Sequence, residues 1–163
     1  MIERQDLLTP DSPAGLEVFQ LTTESLPSSH IYMEAQIFTP DSRRFLLHRA
    51  AHPHGSDPKD PEHRYLVCDV ESGQLEPITT ELGTTAPSIS PSGDVLYYFV
   101  DETEPGVGGR LSLKRVRLDG SQREVVCVVE GDVTDSGRPF SRPYPLSTVS
   151  SDGRRVALSI SPE

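Results

Sequence analysis

Short apolar runs of strand length alternate along the chain with turns of Pro, Asp, Ser and Gly. The clearest unit is Gln36-Ile-Phe-Thr-Pro-Asp-Ser-Arg-Arg-Phe-Leu-Leu-His48: an apolar approach, a polar turn, then a second apolar run. It recurs as Pro87-Ser-Ile-Ser-Pro-Ser-Gly-Asp-Val-Leu-Tyr-Tyr-Phe-Val100 and as Ser147-Thr-Val-Ser-Ser-Asp-Gly-Arg-Arg-Val-Ala-Leu-Ser-Ile160. Each copy has the written form of a β-hairpin.

Pro40, Pro91 and Ser151 mark the same point of the unit, at steps of 51 and 60 residues. Within each step lies a second hairpin. The first runs from His63 through a Glu71-Ser-Gly73 turn to Thr79, the second from Arg110 through Asp119-Gly120 to Val129. Two hairpins per period make a four-stranded blade, so the pattern predicts an all-β chain forming part of a β-propeller. No window sustains a 3.6-residue apolar period, and almost no helix is expected. Residues 1–14 read as a loose arm, 15–23 as the fourth strand of another blade, 34–80 and 85–130 as two complete blades, and 144–163 as half of a third. Two complete blades do not close a ring. The remaining blades are expected from the rest of a longer protein or from another chain.

A formal net charge of −10 over 163 residues argues against nucleic acid as a partner. No apolar run approaches a membrane span, and no signal-like segment opens the chain, so cytoplasmic residence is the default expectation. Fifteen prolines and twelve glycines fit a turn-rich protein. Cys68 and Cys127, each flanked by Val, read as small buried hydrophobes. No Gly-x-Ser-x-Gly elbow is present to mark a serine hydrolase.

The loops divide by length. In up-and-down blades the tight turns at 40–42, 71–73, 92–93 and 119–120 share one rim, while the long segments 25–33, 49–62, 101–109 and 131–145 share the other. Long loops carry ligand contacts more often than tight turns do, which places a site on the second rim. The candidates there are His30, Tyr32, Arg49, His52, His54, Arg138 and Arg142. His48, His52, His54 and His63 cluster around one loop and can offer imidazoles to an ion such as zinc. Their spacing matches no strong metal signature, and a solvated, proline-broken loop is the plainer reading. No metal ligand is assigned.

The segments 29–47, 65–79 and 88–98 resemble the amino-terminal blades of oligogalacturonate lyases and, more loosely, the TolB-type propellers with Pro-Asp-Gly repeats. The lyase-like touch is His30 followed by Tyr32. The resemblance implies β-elimination on short uronate oligosaccharides, with a manganese ion whose ligands, like the catalytic residues, lie in later blades outside this chain. Arg49, Arg138, Arg142 and the histidines are what this stretch offers to a polyanion. The alternative is a propeller without chemistry, a binding platform or the gating domain of a peptidase.

Overall fold

A computed structural model describes residues 1–52, 57, 59–104, 109–131 and 140–162, the last segment by its backbone alone at 140–142 and at 162. β1 (Ile2–Glu3) and β2 (Phe19–Gln20) form a small antiparallel sheet, with a 3-10 turn at Gln5–Leu7 between them. β3 (Ser28–His30), β4 (Arg44–Arg49), β5 (Arg64–Asp69) and β6 (Leu75–Pro77) form a four-stranded antiparallel sheet in chain order. β7 (Thr84–Ile89), β8 (Val95–Asp101), β9 (Arg110–Arg117) and β10 (Glu124–Glu130) form a second. β11 (Phe140–Val149) and β12 (Val156–Pro162) pair as a further hairpin. The chain is nearly all β, as its apolar pattern predicts.

The period seen in the sequence is a hydrogen-bond motif. At Thr39, Ser90 and Ser150 the backbone N–H donates to the carbonyl five residues on (Arg44, Val95, Arg155), and the side-chain hydroxyl accepts from that residue's N–H. Each hydroxyl also meets the polar side chain two residues ahead: Asp41, Ser92 or Asp152. Three residues past each hydroxyl the backbone turns left-handed, at Ser42, Gly93 and Gly153, with φ of 58°, 77° and 70°. These three turns keep the 51- and 60-residue steps.

Packing between sheets supplies the core. Ile31, Ile37, Leu46, Tyr65, Val67 and Ile78 of the first blade interlock with Ile89, Leu96, Tyr98, Val100, Val116 and Leu118 of the second. Ala86, Phe99, Leu111 and Leu113 of the second blade pack against Val156, Leu158 and Ile160 of β12. The strands alternate apolar residues between these two interfaces because both faces of the second blade are covered. A polar clamp crosses the first interface: Glu81, in the link between blades, accepts from Tyr98 Oη, Lys114 Nζ and Arg123 Nη1 at 3.2 Å each. Arg123 also donates to the Ile78 carbonyl at 2.8 Å.

Several boundaries differ from the sequence reading. Regular pairing in the first blade begins at Ser28 rather than Glu34, because the innermost strand is broken. Ser28–His30 pairs with Leu47 to Arg49, the chain turns at Tyr32 to Ala35, and only Phe38 rejoins the ladder, opposite Phe45. The first residues are not loose: β1 pairs with β2, and Met1 lies against Gly73 in the β5–β6 turn. β2 lies outside the sheet that follows it, and Leu21 packs on that sheet's far face against Phe45, Leu47 and Cys68. Cys68 is buried as expected, but Cys127 is exposed, because β10 is the outer edge of its sheet.

Candidate functional site

The innermost strands of all three blades converge on a pocket of about 410 Å³ at the rim that carries the long loops. Ser29, His30, Ile31 and Tyr32 come from β3 and its turn, Thr85 from β7, and Tyr144 and Pro145 from β11. His48, at the end of β4, and His63 and Tyr65, at the start of β5, form its inner wall. The 49–62 loop sets their spacing. Asp60 accepts from the N–H groups of Ala51 and Glu62, both at 2.8 Å, which closes the loop and returns His63 beside His48. Those N–H groups hold the Asp60 carboxyl below its ordinary range.

The two imidazoles bond to one another, His48 Nε2 to His63 Nδ1 at 2.8 Å, with ring centroids 4.5 Å apart. His63 Nε2 lies 2.7 Å from the Thr84 carbonyl, and Ser29 Oγ lies 3.4 Å from His48 Nδ1. Burial, and then the neighbouring ring of His63, pull His48 down to about 4. Burial also lowers His63, against the opposing pull of the Thr84 carbonyl and of Asp60. Both rings are therefore neutral at pH 7. Tyr65, edge-on to His63, is fully enclosed, and burial raises its phenol well above the ordinary range.

β7 is irregular beside this site. Its ladder slips between Thr85 and Ser88, and Ala86 takes a left-handed φ of 49°. The Ala86 carbonyl accepts from Ser147 Oγ of β11 at 2.7 Å, so the slip ties the second blade to the third where the pocket opens.

Of the residues singled out in the sequence, His30 and Tyr32 line the pocket. Arg49 does not: it pairs with Glu24 at 3.0 Å and donates from Nε to Ser28 Oγ at 3.1 Å. His52 is exposed on the loop and is not among the residues that line the pocket. His54 and Arg138 lie outside the described residues, as does the side chain of Arg142. Sequence reasoning named His48 and His63 only as part of a loop cluster and passed over Ser29, Tyr65 and Tyr144. The register supplies the missing signal, since pairing Arg49 with Arg64 sets His48 opposite Tyr65 and brings His63 alongside.

Among the described residues no three His, Cys, Asp or Glu side chains gather in a way that suits a metal ion. The facing nitrogens of His48 and His63 are committed to each other and to Thr84. The described residues therefore offer no ligand set for the manganese ion that the lyase resemblance implies, whose ligands that resemblance puts in later blades.

No family model matches the chain, and no curated protein matches it. Among solved structures it superposes on oligogalacturonate lyase from Vibrio parahaemolyticus with a TM-score of 0.58 and 19% identity, over 90% of this chain and 33% of that one. The chain has a β-propeller fold. Propeller TolB from Acinetobacter baumannii also aligns, at a TM-score of 0.46 and 16% identity, over 85% of this chain and 39% of that one. The propeller segment seen here thus spans about a third of the length of the lyase it matches.

Proposed function

We propose that this chain forms the front blades of a propeller that binds short uronate oligosaccharides, which the whole protein cleaves by β-elimination. The wall chemistry of the rim pocket carries the saccharide part of this reading. Tyr32 and Tyr144 offer exposed aromatic surface, while Ser29 and Thr85 offer neutral polar atoms. A sugar presents the matching pair, an apolar C–H face and a ring of hydroxyls. The elimination part rests on the likeness to the lyase propeller.

In that reaction a base removes the proton α to the uronate carboxylate, and the bond to the β oxygen breaks. The divalent metal that the resemblance implies would be held by residues of later blades and would supply neutralisation of the charge on the carboxylate. The described residues of this chain serve binding. His48 is too weak a base at about 4 to take the proton at neutral pH, and among the described residues no Arg or Lys lines the pocket. The second reading is a propeller without chemistry that serves as a binding platform.

The test is to incubate the full-length protein with digalacturonate and manganese while following the absorbance of the unsaturated uronate. A rise in absorbance supports elimination. Binding with no rise supports the platform reading, and a folded protein that shows neither overturns both.

A further inference from the structure

The hydrogen bonds behind the pocket can run in only one direction while both rings are neutral. A main-chain carbonyl only accepts, so the 2.7 Å contact with Thr84 fixes a hydrogen on His63 Nε2. His63 Nδ1 then carries a lone pair, and the 2.8 Å contact requires His48 Nε2 to be the donor. His48 Nδ1 is left as an acceptor, and among the described residues the donor that meets it is the Ser29 hydroxyl, 3.4 Å away. With its hydrogen turned inward, Ser29 Oγ shows lone pairs to the cavity it lines.

We propose that Ser29 is the reading end of this ordered chain, Ser29 to His48 to His63 to the Thr84 carbonyl, and that the pocket selects a ligand group that donates a hydrogen bond to Ser29 Oγ, a sugar hydroxyl rather than a carboxylate. This rests on the saccharide reading above and narrows it: at this position the pocket holds a neutral face of the sugar, and any uronate carboxylate points elsewhere. A carboxylate here would set its lone pairs against those of Ser29 with no proton between them, an arrangement that a buried wall penalises. Neither His30 nor Tyr32 is needed for this selection, since the direction is set wholly from behind the wall.

Two measurements on the full-length protein test it. Long-range nitrogen-15 correlation spectra at pH 7.5 should show His48 and His63 as neutral Nε2–H tautomers; a proton on His48 Nδ1 overturns the proposal. Calorimetry with galactobiose, the neutral counterpart of digalacturonate, should show binding that Ser29→Ala weakens about three- to tenfold, the loss of one neutral hydrogen bond, and that Ser29→Thr restores. Absence of galactobiose binding, or binding indifferent to Ser29→Ala, overturns it. The elimination assay is read separately. Protein that binds galactobiose through Ser29 but leaves digalacturonate intact fails the lyase reading and keeps this one. Protein that cleaves digalacturonate with no dependence of sugar binding on Ser29 does the reverse.

Discussion

Gly93, in the first tight turn of the second blade, lies against Pro40 of the matching turn in the first: a Cβ built on Gly93 would stand 2.5 Å from Pro40 Cδ. Gly153 holds the same place one unit later, with a similar φ, and meets nothing within 4 Å. The pair therefore separates backbone strain from blade contact. Gly153→Ala should lower unfolding free energy by about 1 kcal/mol, the left-handed penalty alone. Gly93→Ala should add roughly 1–3 kcal/mol of overpacking to that penalty. Denaturant midpoints of the two variants check the difference, and equal losses would mean that the turns do not touch.

Ser42 is the position where the unit departs from glycine, at a φ of 58°. Ser42→Gly relieves a left-handed cost of about 1–2 kcal/mol and pays back about 0.5–1 kcal/mol of unfolded-chain entropy. A net gain of up to about 1.5 kcal/mol is expected, seen as a higher denaturant midpoint with an unchanged slope.

Glu81 binds three donors across the first interface. Burial alone would raise its carboxyl; the N–H groups of Thr80 and Glu81, with Arg123 and Lys114, outweigh burial and hold the acid below its ordinary range. Glu81→Ala leaves Tyr98, Lys114 and Arg123 without this acceptor and should destabilise by about 2–3 kcal/mol, more than an exposed ion pair is worth. A double-mutant cycle with Arg123→Ala should show coupling of about 1 kcal/mol, and strict additivity would remove the clamp from the account.

The imidazole pair predicts the acid response. His48 sits near 4 in the fold and near 6.5 when unfolded, and His63 is shifted in the same direction. Above pH 6.5 both states are neutral and the pair is silent. As pH falls from 6.5 towards 4 the unfolded chain takes up protons that the folded chain refuses, so stability is lost through that window. The depressed carboxylates, Asp60 and Glu81 among them, act lower, as pH falls through their folded values. Melting temperatures of the protein and of His48→Gln should diverge above pH 6.5 by a constant amount and converge as pH falls to 4.

The blades were legible because their turns need particular atoms. A hydroxyl, an Asp or Ser two residues on and a left-handed Gly or Ser three residues on leave a mark in the sequence that recurs in all three units. The break in the innermost strand was not legible, since Ile31, Ala35 and Ile37 stay buried across it and the apolar pattern runs through unmarked. Cys127 was misread for the opposite reason. Val-Val-Cys-Val-Val looks like a covered strand, and only its place at the end of the order β10-β9-β8-β7 exposes it. His30 and Tyr32 line the pocket, on the rim where the long loops gather. Ser29, Tyr65 and Tyr144 needed the register and the neighbouring blades, which local sequence does not contain.

No single sheet owns the cavity: one contributes serine and histidine, another threonine, the last a tyrosine and a proline. Its aperture is thus an angle between neighbours before it is a list of side chains. Leu96 and Phe99 are buried in the seams between those sheets, so a change of side-chain volume there would alter how the neighbours meet and with it the width of the opening.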